Sequence, residues 1–311
     1  MIYSWGHAKR YNDYSQFIKK TFGERVQKVS VNAGFTCPNR DGSKGTGGCS
    51  FCNNSTFNPA YCEPELKIIE QLEKGMSFFR PKYQTQKYLA YFQAYSNTYG
   101  ETTTVIAKYK EALAHPLICG LIIGTRPDCI SPQLLEYLQE VNKTHYVVIE
   151  LGAESTNNAT LQSINRGHSW EETIDAARMI HHTGIAVGLH LILGLPGEDR
   201  AQILEHATAI SKLPITFLKL HQLQIVKGSE FGRIFETNPS YFNLFTEDDF
   251  IELVIDFIEL IKPQIVVERF ISQAPYNLLL APNWGTKNFE FVHKVEKRLN
   301  ERDTYQGRLY H

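Results

Sequence analysis

Apolar residues fall along the chain in two alternating patterns. Short, nearly continuous apolar runs occupy 26–32 (VQKVSVN), 87–95 (KYLAYFQAY), 117–125 (LICGLIIGT), 146–152 (YVVIELG), 185–195 (IAVGLHLILGL) and 215–226 (ITFLKLHQLQIV). Between them lie stretches whose apolar positions recur three and four apart: 65–79, 102–115, 131–142, 169–184 and 199–213. The runs predict strands and the stretches predict helices. Two helices carry start signals. Ser131 stands as N-cap before Pro132, and Ser169 precedes Glu172 by three positions, a capping box that ends at Gly184. Six strands separated by helices predict a parallel sheet with right-handed crossovers, buried on both faces. A barrel-like and a doubly wound sheet both fit this pattern. Beyond residue 235 it changes to an amphipathic helix (247–261), a short strand (265–270) and a polar helix (288–303). Residues 1–235 are expected to form the core and 236–311 a C-terminal, mainly helical extension.

With 311 residues, 42% of them hydrophobic, the chain can bury a sizeable core. The formal charge of −1 leaves any nucleic-acid recognition to local basic patches. No apolar run approaches the roughly 20 residues that span a membrane, and the first 20 residues lack an apolar signal core. Six cysteines are too few for a secreted disulfide framework in a chain this long. A cytoplasmic protein is expected, whose clustered cysteines serve as metal ligands or catalytic thiols.

The cluster is CPNRDGSKGTGGCSFCNN (37–54), with Cys37, Cys49 and Cys52 spaced C-x11-C-x2-C and glycines that let the chain fold back. With Cys62 as a fourth ligand the loop is a zinc knuckle. Three thiolates alone suit a [4Fe–4S] cluster with one open iron. Spacing leaves both open. GSKGTGG does not match the phosphate-binding P-loop, and no helix opens behind it. The loop follows the first strand, and ligand sites in such folds gather where strands end. Polar residues accumulate at those same ends: QAYSNTY (93–99), GTRPD (124–128), GAES (152–155) with NRGH (165–168), GLPGE (194–198), and His190, Lys219 and His221 within strands.

Taken together these motifs resemble the radical S-adenosylmethionine (SAM) superfamily, and within it the YtqA/YhcC subgroup, a relative of the catalytic subunit of Elongator. The resemblance rests on C-x11-C-x2-C with Phe51 inside, IGTRPDC, IELGAES…NRGH, HLILGLPGE, ERFISQAPYNLLLAPNW and ERDTYQG, and covers about residues 25–235, with like features to the C-terminus. The commonest superfamily spacing is C-x3-C-x2-C; the longer first gap resembles the subgroup. The resemblance implies an α/β fold, a partial (βα)6 TIM-like barrel of the radical SAM type. It implies a [4Fe–4S] cluster on Cys37, Cys49 and Cys52 and SAM on its open iron. An electron from the cluster would cleave SAM to methionine and a 5′-deoxyadenosyl radical, which takes a hydrogen from substrate. An electron donor such as flavodoxin or ferredoxin is implied, and no membrane.

Residue by residue, the resemblance places Phe51 by the SAM adenine, Gln93 to Asn97 by its amino group, Glu154 with Ser155 at its ribose, and Arg166 at its carboxylate. His190 is either a ribose contact or a core histidine. Arg126 and Asp128 are expected to form a structural ion pair. Lys219 and His221, alternating with Leu220, are expected to face the barrel interior as substrate contacts. Cys62, Cys119 and Cys129 are expected to be non-ligands. The subgroup implies wobble uridine of tRNA as substrate. Basic residues interleave with aromatics at both ends (His7, Lys9, Arg10, Tyr11, Lys19, Lys20; Lys294, Lys297, Arg298, Arg302, Tyr305, Arg308, Tyr310), a pattern that suits RNA and equally solvated helix faces. Two other readings stand beside it: the same chemistry on a small molecule or peptide, and a non-catalytic zinc or iron–sulfur nucleic-acid-binding protein.

Overall fold

A computed structural model describes residues 2–56, 58–81 and 86–311. Its strands are β1 (Val26–Val31), β2 (Lys87–Phe92), β3 (Ile118–Thr125), β4 (Tyr146–Glu154), β5 (Ala186–Leu193), β6 (Phe217–Gln222), β7 (Ile225–Val226), β8 (Val266–Arg269) and β9 (Leu279–Ala281). Seven of them form one curled, half-barrel sheet in the order β1-β2-β3-β4-β5-β6-β8, every pair parallel. The barrel-like alternative therefore holds, with the short strand expected at 265–270 joining the six as a seventh. Val266–Arg269, from the C-terminal extension, pairs with β6 at the edge. β7 and β9 make a separate antiparallel pair.

The helices are α1 (Tyr14–Phe22), α2 (Ile68–Phe79), α3 (Thr102–Leu113), α4 (Pro132–Asn142), α5 (Asn158–Ser163), α6 (Trp170–His182), α7 (Arg200–Ser211), α8 (Glu230–Thr237), α9 (Glu247–Leu260) and α10 (Asn288–Glu301). The expected caps form: Ser131 accepts from Leu134 N–H, and Ser169 with Glu172 closes a capping box. Asp199 and Gln202 close a second one on α7. None of the helices among the described residues is long and apolar enough to cross a membrane.

The period-two alternation of each strand separates two environments. Outward residues such as Val29, Phe92, Ile123, Ile149, Leu189 and Leu220 pack with the helices in the main core. Inward residues change character along the strand. Leu89, Ile122, Val148, Phe217 and Val266 form an apolar floor at the N-terminal end, which α1 covers with Tyr14 and Phe17 against Phe217. Above the floor lie charges. Lys28 Nζ meets Glu268 at 2.5 Å and Glu150 at 3.3 Å, and Lys219 Nζ meets Glu150 at 2.6 Å and Glu268 at 3.1 Å. Above the charges the barrel opens.

Candidate active site

The cysteine loop leaves the C-terminal end of β1 and takes its shape from partners on other elements. Asn39 Nδ2 donates to the Asn165 and Arg166 carbonyls at 2.6 and 3.0 Å. Ser50 N–H donates to the Ile164 carbonyl at 2.9 Å, and Phe231 N–H to the Ser50 carbonyl at 2.8 Å. Ser50 Oγ adds a bond to the Glu230 carboxylate at 2.7 Å, and Arg40 donates to the Cys52 carbonyl at 3.1 Å. A glycine-rich segment with little to pack is thus held by the NRGH loop and α8. Cys37, Cys49 and Cys52 all reach the wall of one cavity of about 340 Å³ at the C-terminal rim of the sheet. That volume is within the range of small-molecule sites. Burial, with Cys49 alongside, pushes the Cys52 thiol up to about 11 despite Arg40 and Arg166; metal binding there releases the proton.

Cys62 does not line this cavity: its Sγ donates to the Ser30 carbonyl at 3.1 Å. Cys62, the fourth ligand of the zinc-knuckle alternative, therefore does not share a wall with the other three thiols. Cys119 donates to the Tyr88 carbonyl at 3.3 Å, away from the cavity, and Cys129 lies 3.9 Å from Asp128.

Phe51, Gln93, Glu154, Arg166, His190 and His221 line the same cavity. Arg166 is buried; its Nη2 donates to the Gly152 carbonyl at 2.6 Å and stands 3.5 Å from Glu154, while Nη1 stands 3.5 Å from Cys49 Sγ. A Cβ at 152 would lie 2.5 Å from Glu154 Oε1 and 2.7 Å from Arg166 Nη2, so a larger residue there would displace both side chains. Glu154 itself has φ +69°, a strained left-handed backbone for a non-glycine residue, which turns its carboxylate toward Arg166 and the cavity. Gly167, at φ +73°, brings the NRGH loop against Asn39, with Asn39 Oδ1 only 2.4 Å from where a Cβ would be. Gln93 donates to Ser30 Oγ at 2.9 Å.

Two expected site residues lie elsewhere. Ser155 is fully buried below the cavity wall, with its hydroxyl on the Glu198 carboxylate and accepting from Asn157 N–H at 3.0 Å. Lys219 faces the interior as its alternation requires, yet it is absent from the cavity wall. Its ammonium is enclosed by Glu150, Glu268 and the Tyr91 hydroxyl at 3.0 Å. Burial pulls that amine down to about 8. Glu150 is held well below the usual carboxylate range: burial alone would raise it, but Lys219 and Lys28 outweigh burial. His190 Nε2 donates to the Glu150 carboxylate at 3.0 Å, and burial, then Lys219, lowers its basicity. Arg126 and Asp128 form the expected ion pair in bidentate form, both bonds 2.9 Å, with Lys44 on the second oxygen at 2.7 Å.

Glu150, Glu268, Arg269, Asn39 and Arg40 were not among the expected site residues. Glu150 carries a readable signal: an acid two positions before Gly152 in an otherwise apolar strand, matched by a lysine in the strand at 217–222. Arg269 lies in the expected short strand and in the ERFISQAP motif, but neither says that it reaches the cavity.

The cavity wall fits an [4Fe–4S] cluster and SAM by its donor chemistry. Three thiols share one wall, Arg166 Nε and Ser96 Oγ are buried on it without a partner, and the carboxylate of Glu154 faces in beside them. Residues 36–210 match the radical SAM superfamily, and residues 215–301 the radical SAM C-terminal domain. The chain belongs to the radical SAM superfamily. YtqA of Bacillus subtilis is 33% identical over 302 residues, which span 97% of this chain and 93% of YtqA. A tRNA uridine(34) acetyltransferase of Methanocaldococcus infernus is 29% identical over 197 residues, 61% of this chain and 35% of that protein. The structure of archaeal M. infernus Elp3 superposes with a TM-score of 0.68 at 16% identity, over 90% of this chain and 64% of Elp3, a likeness of fold. As a radical SAM protein the chain uses a [4Fe–4S] cluster and SAM.

Proposed function

We propose that this radical SAM enzyme modifies the side chain of the wobble uridine of tRNA. The observation that carries this is the 197-residue similarity to a tRNA uridine(34) acetyltransferase, which spans 61% of this chain. A base from a single-stranded loop can be turned into a pocket of this size. In this reading Cys37, Cys49 and Cys52 hold the cluster, Arg166 pairs with the SAM carboxylate, Glu154 meets its ribose, Phe51 packs near its adenine, and the Gln93–Asn97 segment meets its amino group. Those three thiolates would hold the cluster, which, given a donor such as flavodoxin or ferredoxin, would supply the electron for SAM cleavage and with it hydrogen-abstraction chemistry on the substrate. The chain's own part is to orient SAM and exclude water, which the enclosed wall and paired polar groups support.

One observation favours a small molecule instead. The two basic–aromatic ends do meet: Arg10 bonds Asn300 and Asp303, and Tyr3 lies against Tyr305. Four cations of the C-terminal end are nevertheless paired with acids. Lys294 pairs with Glu247, Lys297 with Glu301, Arg298 with Glu252, and Arg302 with Glu252, Asp256 and Glu259. Those four are less available to phosphates than their number in the sequence suggests. Mass spectrometry of tRNA nucleosides from a deletion strain separates the two. Loss of one modified wobble uridine supports the tRNA substrate. An unchanged nucleoside profile overturns it and leaves a small molecule as the better reading.

A further inference from the structure

Register places Gly152, His190, Lys219 and Arg269 in one row across β4, β5, β6 and β8. Each points into the barrel. The row sits where the charged layer gives way to the cavity, and Arg269 and His190 are on the cavity wall. Glu150, itself on the cavity wall, and Glu268 serve two lysines, Lys28 and Lys219. That pairing is already balanced. Arg269 adds a third cation with no acid of its own.

Of the other cavity arginines, Arg126 has an acid in Asp128 and Arg166 in Glu154, with the Gly152 carbonyl besides, and Arg40, at the cysteine loop, has the Cys52 carbonyl. Arg269 meets no carboxylate among the described residues. Its Nη2 donates to His221 Nε2 at 3.1 Å, and its Nε is buried without any partner. His221 accepts here as a neutral ring, since burial and then Arg269 hold its basicity well below the ordinary value. A half-buried guanidinium on a cavity wall, with no counter-ion and an unpartnered Nε, is a ready partner for an anion.

We propose that Arg269, oriented by His221, binds an oxyanion of the substrate, a carboxylate or a phosphoryl group, on the β6–β8 side of the cavity, opposite in the sheet from the β1 end where the cysteine loop begins. The guanidinium fork matches either oxyanion with paired N–H bonds. The inference rests on the reading that this cavity receives the substrate. It does not depend on whether that substrate is a tRNA, which the nucleoside profile decides separately.

The test uses the anaerobically reconstituted, SAM-loaded protein. Acetate and inorganic phosphate are titrated by calorimetry against sodium chloride at equal ionic strength, in the wild type, Arg269→Gln and Arg269→Lys. Saturable binding of at least one oxyanion is expected, weakened about tenfold or more by Arg269→Gln and less by Arg269→Lys. Acetate alone identifies a carboxylate, phosphate alone a phosphoryl group, and both an unselective oxyanion site; each supports the proposal. No saturable binding in the wild type, or full binding in Arg269→Gln, overturns it. A tenfold loss of SAM affinity in Arg269→Gln also overturns it, because Arg269 would then belong to the SAM site. Thermal unfolding without added anion gives a further readout. Removing an unbalanced cation should leave the midpoint unchanged or raised, whereas a drop of several degrees would make Arg269 part of the framework. If Arg269→Gln does not fold, the wild-type titration and Arg269→Lys decide.

Discussion

Inside the barrel, Lys219 meets Glu150 at 2.6 Å with side-chain exposures of 4% and 1%. On the α9–α10 face, Arg298 meets Glu252 at 2.5 Å with exposures of 43% and 36%. The distances are nearly equal and the residue types alike. What differs is water. The inner charges have lost their hydration, so each must be matched by another protein group or by a ligand. The outer ones exchange one hydrated state for another, and their pairing contributes little. The inner set therefore reports on what the cavity is built to hold. The outer set cancels its own charge and says little about a partner. Counting basic residues along the sequence cannot separate the two.

The largest effect expected from this comparison is at Glu150. Glu150→Gln leaves Lys28 and Lys219 with one carboxylate between them in a dry layer. It should lower unfolding free energy by about 3–5 kcal/mol, as measured by denaturant titration at pH 7. A loss below about 1 kcal/mol would mean that water reaches the layer and that the contrast fails.

Arg166 is the next. Buried among Cys49, Glu154 and the Gly152 carbonyl, it is the inner cation assigned to the SAM carboxylate. Arg166→Ala should weaken SAM binding by about 1.5–3 kcal/mol in calorimetry on the reconstituted protein. Unchanged affinity would reduce Arg166 to a tie between loops.

Acid titration sharpens the contrast further. Glu150 has its folded pKa below its unfolded value near 4.5, so its contribution is complete above that pH and disappears as pH falls through the window beneath it. The wild type should lose stability steadily below about pH 4.5, and Glu150→Gln should show a shallower acid limb in the same denaturant series. Equal slopes would place the titrating acids outside the barrel.

The smallest effect belongs to the outer face. Arg302→Gln should cost about 1 kcal/mol or less, and that cost should shrink further in 1 M salt. A salt-independent loss of several kcal/mol would show that its contact with the buried Glu259 carboxylate behaves like the inner layer.

The strand–helix alternation was legible because strands buried on both faces read as apolar runs, and the capped helices carried their own stop and start residues. α1 was also readable in principle: Asp13 caps it and Gly23 ends it in the left-handed region. β7, β9 and the six-residue α5 were not, since two to six residues hold no measurable period. The cysteine loop and the polar strand ends were visible because polar residues interrupt apolar patterns there. The depth at which each residue sits was not visible. Ser155 follows a strand end and Lys219 lies within a strand, yet neither lines the cavity, and Arg269 reaches it from β8, which 43 residues of chain separate from β6. Period-two alternation gives the face a side chain points to. Only the register between strands gives its height.

The central claim is a radical SAM centre on Cys37, Cys49 and Cys52. It is tested most directly by metal and sulfide analysis after anaerobic reconstitution of the wild type, Cys49→Ser and Cys62→Ser, with 5′-deoxyadenosine measured after reduction in the presence of SAM. The account predicts about four irons and four sulfides per chain in the wild type and in Cys62→Ser, slow release of 5′-deoxyadenosine and methionine from both, and neither cluster nor product in Cys49→Ser. Stoichiometric zinc without sulfide, or loss of the cluster in Cys62→Ser, would contradict it.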